Sequence, residues 1–338
     1  MELKMLTALN GVSGNEDCVR DAIMDHVKAH CDDVKVDRMG NVIAYQKGTG
    51  SGEHVMLVAH MDEVGLIVRG IKDDGLIVYE TVGGLDPRIM VSKRVRVGND
   101  AIPGVIGCKA IHLQTQEERA KPLTHKQLYV DIGTKDKAVT EKLVALGDYI
   151  AFESEYVEFG DGLVKAKALD DRVGCYNLLR LMQSRYPGDV TYAFTVQEEV
   201  GLRGAYVAAR QSDADIALVL ESTTANDLGD VSDHFKVCRV GRGVVISFMD
   251  NASIAHPDVN RKLRTLGEQK GIAWQPKTYI AGGNDAGAIQ TARGSVAVCT
   301  LSIPCRNIHS PANVCSLSDV DAQYQLVEAF LNAPDDQA

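Results

Sequence analysis

The sequence predicts an α/β fold: a mainly parallel sheet with helices on both faces, interrupted by an inserted β-barrel-like domain. Three observations carry this. Apolar strand runs alternate with stretches of helical period, clearest after residue 169. Between residues 71 and 160 the chain breaks instead into short β-rich pieces. Its length, 338 residues, exceeds the ~100–200 typical of one domain. The α/β part is thus expected over 1–70 and 161–338, and the insertion over 71–160.

Taken in order, Ser13-Gly-Asn-Glu16 has the form of a capping box, and Val19, Ile23 and Val27 follow on one helix face. Residues 41–46 (NVIAYQ) read as a strand. Residues 54–59 (HVMLVA) are almost continuously apolar, which suits a central strand covered on both faces. The glycine-rich stretch 48–52 joins strand to strand, so it reads as a hairpin turn; a phosphate cradle needs a helix amino terminus. In the insertion, GLIVYE, RVRVG, IPGVIG, QLYVDIG and DYIAFE sit between Gly, Pro and Asp turn signals, the texture of a small sandwich or barrel. Residues 112–126 read as a polar loop, with His112 and His125 in surface or intersubunit roles.

The alternation then resumes. Cys175, Leu178, Leu179 and Met182 share one helix face. Strand VTYAFTV (190–196), a helix after Gly201 and strand IALVL (216–220) follow. Later come a helix over 259–270, a strand at 273–278, a helix after Asn284 and a strand at 296–301. A last helix from Ser316 aligns Val320, Tyr324, Val327 and Leu331.

Composition narrows the function. Hydrophobic residues at 45% and charged residues at 24% are ordinary globular proportions. Against 46 Asp and Glu stand 36 Lys and Arg, a net charge of −10 that argues against a nucleic-acid binder. No run approaches the ~18 apolar residues of a membrane helix, and the first residues lack a signal-peptide pattern. Eight cysteines without a C-x-x-C pair point to neither cysteine-bound zinc nor a disulfide framework. The chain reads as a soluble cytoplasmic protein with reduced thiols.

In open α/β sheets, functional groups gather beyond the carboxyl ends of the strands. Five places there carry polar side chains: His60-Met-Asp62-Glu63, Asp170-Asp171-Arg172, Gln197-Glu198-Glu199, Glu221-Ser222, and Arg306-Asn-Ile-His309. Each alone has a structural explanation: a hydrogen-bonded histidine, a helix cap, a solvated edge. Together they would converge several carboxylates with two imidazoles, which is unfavourable without a cation. Two His with three or more carboxylates suit Zn²⁺, Mn²⁺ or Co²⁺. A shared carboxylate permits two ions ~3.5–4 Å apart, able to turn a bridging water into hydroxide near neutral pH. Spacing does not say which of Glu198 and Glu199 is base and which is ligand.

The blocks AHMDEVG, ALDDRVG, TVQEEVGLRGA, AGGNDAGAIQ and IPCRNIHSP resemble, in order and across the whole chain, those of the M42 metallo-aminopeptidases, which include glutamyl and tetrahedral aminopeptidases. The resemblance implies a zinc-peptidase-like fold and an enzyme releasing N-terminal residues from short peptides. It implies two divalent ions per subunit (Zn, Co or Mn), one held by His60, Asp170 and Glu221, the other by Asp170, Glu199 and His309. Asp62 would orient the ligand imidazole, Glu198 would be the general base for a metal-bound hydroxide, and the peptide between Asp170 and Asp171 would be cis. The insertion would be a dimerisation domain, with dimers assembling to a dodecamer. Asn284 and Asp285 would shape the substrate cleft. Two departures stand out: Glu221 where many members carry Asp, and Asn284 where Thr is common. Other readings are an endoglucanase-like glycoside hydrolase, a related metal-dependent carboxypeptidase or deacylase, and a scaffold that has lost its chemistry. Chelation separates the first from a metal enzyme, and the intact polar set argues against the last.

Overall fold

A computed structural model describes residues 1–229, 231–292 and 295–334. The chain opens with α1 (Leu3–Ala8), α2 (Asp17–Val27), β1 (Asp33–Val36), β2 (Val42–Gln46) and β3 (Val55–His60). Six strands follow: β4 (Gly65–Ile71), β5 (Ile77–Val82), β6 (Arg94–Val97), β7 (Ile102–Cys108), β8 (Leu128–Asp131) and β9 (Tyr149–Phe152). Two short helices, α3 (Gln116–Ala120) and α4 (Lys137–Thr140), lie among them. Next come β10 (Val157–Phe159), β11 (Leu163–Ala166), α5 (Leu169–Leu181), β12 (Val190–Thr195), α6 (Arg203–Ala208) and β13 (Ile216–Thr224). The remainder is β14 (Val244–Ile246), α7 (Pro257–Lys270), β15 (Trp274–Pro276), α8 (Asp285–Gln290), β16 (Ala297–Cys305), β17 (Asn313–Ser316) and α9 (Leu317–Asn332).

The main sheet is mixed and eight-stranded, in the order β1-β2-β12-β3-β13-β16-β14-β15. Its centre is parallel: β12, β3, β13 and β16 all run the same way, so their carboxyl ends share one edge. The flanks pair antiparallel, β2 on β12 and β14 on β16. Every residue of β3 is buried, as its apolar run predicts. Its side chains alternate between two clusters: Val55, Leu57 and Ala59 join residues of α2, α5, α7 and α9, whereas Met56 and Val58 join residues of α6 and α8.

Strands β4 to β9 close a barrel in the order β4-β5-β8-β7-β6-β9 around Leu66, Val68, Ile77, Val95, Ile106, Val130 and Ile150. Barrel strands thus occupy Gly65 to Phe152, starting and ending upstream of the expected limits at 71 and 160. No turn signal separates β4 from the residues after β3. The β10–β11 hairpin leaves the barrel to pair with β17.

Two local expectations are corrected. Ser13 and Glu16 form no capping box: α2 has Glu16 itself at its cap, without a side-chain bond. Both side chains are used elsewhere, as described below. A box lies instead in the supposed polar loop, where Thr115 and Glu118 bond reciprocally at 3.1 and 2.7 Å and start α3, and Thr124 with Gln127 forms another. No helix among the described residues is long and apolar enough to cross a membrane.

Candidate metal centre

Five segments deliver polar side chains to the edge where the parallel strands end. His60 closes β3, Glu221 lies in β13, and Glu198 and Glu199 follow β12. Asp170 opens α5, and His309 sits in the loop between β16 and β17. His60 Nε2 lies 3.4 Å from Asp170 Oδ1, 3.8 Å from Glu221 Oε2 and 4.0 Å from Glu198 Oε2. His309 Nε2 lies 3.2 Å from Glu199 Oε2 and 3.4 Å from Asp170 Oδ2. Among the described residues, two trios bring ligand atoms within 4.8 Å of one another: His60 with Asp170 and Glu221, and Asp170 with Glu199 and His309. Asp170 belongs to both, offering one oxygen to each imidazole.

The electrostatics are those of a cluster built around positive charge. Burial pushes the Glu198 and Glu221 carboxyls well above the usual range and Glu199 upward, while nearby imidazole charge pulls the other way. Burial pulls the imidazoles down, yet the facing carboxylates outweigh it, lifting His60 well above its ordinary value and His309 to about 11. Glu221 Oε1 is buried without any hydrogen-bond partner. An orphaned acceptor beside an all-N/O donor set fits divalent cations of the zinc, manganese or cobalt kind.

The sequence profile of the M42 glutamyl aminopeptidases matches residues 40–326. The chain belongs to the M42 family. It is 36% identical over 331 residues to a putative aminopeptidase of Acetivibrio thermocellus, covering 97% of each chain. It is 29% identical to the lysyl aminopeptidase of Pyrococcus furiosus, covering 97% of this chain and 95% of that one. Identity is also 29% to the glutamyl aminopeptidase of Lactococcus lactis, over 98% and 94% of the two chains. Among solved structures, the TET1 peptidase of Pyrococcus horikoshii superposes with a TM-score of 0.86 at 33% identity, over 98% of both chains. That peptidase can assemble into a tetrahedron or a large octahedral shell. This M42 protein is therefore an aminopeptidase, a hydrolase of peptide bonds, in a metal-dependent family.

The surroundings of the M42 centre show what the sequence did not. Asp62 is fully buried and holds the base segment: its Oδ1 accepts from Glu198 N at 3.0 Å and its Oδ2 from Glu199 N at 3.1 Å. For His60 Nδ1 the nearer Asp62 atom is the backbone carbonyl, at 3.1 Å, with Oδ1 at 3.4 Å. Ser13 Oγ donates to Asp62 Oδ2 at 2.6 Å, and Glu16 Oε1 accepts from Gln197 N at 3.1 Å. Gln197 needs that support, since its φ of 56° is left-handed for a residue with a side chain. His309, also at 56°, is steadied by Asn313, whose amide donates to the carbonyls of Asn307 and Ser310. The peptide joining Asp170 to Asp171 is cis.

A cavity of about 190 Å³ opens beside the cluster, lined by His60, Glu198, Glu221, Lys277, Asn284 and His309 among others. Asn284 caps α8: its Oδ1 accepts from Ala286 N at 3.0 Å while its amide donates to Asp250 Oδ2 at 3.0 Å. Asp285 lies behind it, wholly buried, accepting from Thr195 Oγ1 at 2.6 Å, and burial pushes its carboxyl up to about 6. His112 is exposed and His125 bonds the Leu85 carbonyl at 3.0 Å; neither belongs to the two trios.

Proposed function

We propose that this aminopeptidase removes N-terminal residues from short peptides with two divalent ions, one held by His60, Asp170 and Glu221 and one by Asp170, Glu199 and His309. The observation that carries the reading is the pair of ligand trios sharing Asp170. Such ions supply Lewis-acid polarisation of the scissile carbonyl and lower the pKa of water. Glu198, beside His60 but outside both trios, takes the proton from the attacking water and delivers it to the departing amine. The new C–O bond forms first, and the C–N bond then breaks with the proton from Glu198 on the nitrogen, so the amine leaves neutral. Asp62 keeps Glu198 and Glu199 in register by gripping both backbone amides. Asn284 and Asp285 shape the cleft wall through their bonds to Asp250 and Thr195. The free α-amine binds on the His60 and Glu221 side, which restricts cleavage to the first residue.

The barrel serves self-association. Ile111 and Leu113 project from it 69% and 63% exposed, and the related TET1 peptidase forms closed shells. Dimers built on this surface and gathered into a dodecamer are the expected assembly.

Elemental analysis with kinetics tests the chemistry. Glu198→Gln keeps two ions per chain and loses about 10²-fold or more in turnover, the scale of a general base. Loss of an ion in that variant would exchange the roles of Glu198 and Glu199. An N-acetylated peptide cleaved as fast as its free-amine counterpart would refute the exopeptidase reading.

A further inference from the structure

The two trios are not held alike. In the first, His60 is 1% exposed, and its Nδ1 has the Asp62 carbonyl at 3.1 Å to orient it. In the second, the His309 side chain is 37% exposed, and its Nδ1 has no hydrogen-bond partner among the described residues. Metal-ligating imidazoles ordinarily have that other nitrogen bonded, which fixes the ring. Asn313 and Ser310 fasten the backbone of the His309 loop, not its ring. What stands against the ring is the barrel. A Cβ on Gly84, just past β5, would lie 3.4 Å from His309 Nδ1. A Cβ on Gly83, at φ 83°, would lie 3.4 Å from Glu199 Cβ and 2.8 Å from Val64 Cγ1. The turn thus backs the two members of the second trio that belong to no strand or helix.

The turn itself, from the end of β5 to Pro87, lies outside the sheet ladders. Its tie to the rest of the barrel runs through Leu85 O, to which His125 Nε2 donates at 3.0 Å. A carbonyl only accepts, so Nε2 carries the proton and Nδ1 is left to accept from Tyr79 Oη, at 3.4 Å. The Tyr79 ring also meets the imidazole edge to face, with centroids 6.1 Å apart. His125 is firmly mounted, since Thr124 and Gln127 box its short turn and Leu128 follows as the first residue of β8. We infer that His125 is a positioning residue: it holds the Gly83–Gly84 turn against Glu199 and His309, and so sets the grip of the second trio on its ion. The inference rests on the two-ion reading and adds to the centre a residue of the inserted domain. His125 touches no reacting atom and acts only through the turn.

Calorimetric titration of the metal-stripped protein with Co²⁺ tests this without recourse to activity. The unaltered chain should show two binding steps, and the step missing from His309→Ala marks the second trio. His125→Ala should weaken that step by ~10-fold or more, the scale of losing an outer partner of a metal ligand, and leave the other step as it was. His125→Gln should restore it, because the glutamine amide reaches the position of Nε2 and donates in the same way. A histidine that merely stabilises the barrel would weaken both steps together or neither, and either result overturns the inference. So does a glutamine variant no better than the alanine one. Should His125→Ala fail to fold, Gly84→Val gives the answer at an exposed position. Its methyl groups extend beyond a Cβ already 3.4 Å from Nδ1, so the same step alone should weaken, and an unchanged step overturns the inference. The two readings fail differently. An unaltered chain that takes up one ion or none sinks the two-ion reading and the inference with it, whereas two ions bound equally well by the unaltered and His125→Ala chains sink the inference alone.

Discussion

Glu63 stands next to Asp62 and looks from the sequence like one more carboxylate for the centre. Its side chain goes elsewhere. Its oxygens accept from Lys167 Nζ at 2.6 and 2.9 Å and from Gly11 N at 3.0 Å, with Arg172 Nη2 at 3.4 Å. All three charged side chains are buried, and Arg172 also donates to the carbonyls of Met61 and Leu6. This network ties the segment after α1 to the strand end that carries His60. Glu63→Gln would leave two buried cations facing no anion, so urea denaturation should show a loss of about 3–5 kcal/mol. Adding Lys167→Met should return part of that loss; no recovery would mean that Glu63 acts through packing rather than charge. The pair Asp62 and Glu63 marks the limit of legibility here. An apolar run immediately upstream identified a strand end, but which neighbour faces the cleft depends on cations a hundred residues away. Ser13 and Glu16 were misread for a related reason: the spacing that would cap a helix is the same spacing that here fastens Asp62 and Gln197.

Elements were most legible where burial is two-sided. The uninterrupted apolar residues of β3 and β13 announce themselves, and both end at the centre. Joints between elements were less legible, and α9 shows why. Asp319, in its first turn, accepts from Gly241 N and Gly243 N, both at 2.7 Å, and so fastens the helix to the turn before β14. Gly243, at φ 89°, has no room for a side chain, since a Cβ there would stand 2.1 Å from the Ala273 carbonyl oxygen. Burial pushes the Asp319 carboxyl up to about 6, above the ~3.9 of an unfolded chain. The unfolded chain therefore ionises first, so the native state is favoured below pH 4 and loses that advantage as pH rises to 6. The expected change is on the order of 2 kcal/mol. Urea midpoints measured for the unaltered protein and for Asp319→Asn should show their stability difference shifting against the unaltered protein across this window. A difference independent of pH would refute the assignment.

At the scale of the whole molecule, the architecture separates two tasks. A parallel core fixes the ligand trios, while the barrel, whose Gly83–Gly84 turn comes close to Glu199 and His309, presents Ile111, Leu113 and Leu146 to solvent. The family blocks made both parts readable in advance, yet composition alone gave no sign of the apolar residues at the barrel surface, because single exposed side chains are ordinary. If association runs through this face, Ile111→Asp combined with Leu113→Asp should lower the mass seen by sedimentation while the ion content per chain is kept. An unchanged mass would place the contact elsewhere.

The strand pairing also sets a timetable for the nascent chain. β3 is made early, but its neighbours in the sheet are β12 and β13, which begin at Val190 and Ile216. All six barrel strands leave the ribosome in the interval, on the order of ten seconds at ordinary elongation rates. During that wait a strand whose every residue is buried in the finished fold is without its partners, so a chaperone that shields the first sixty residues is the helper this topology calls for.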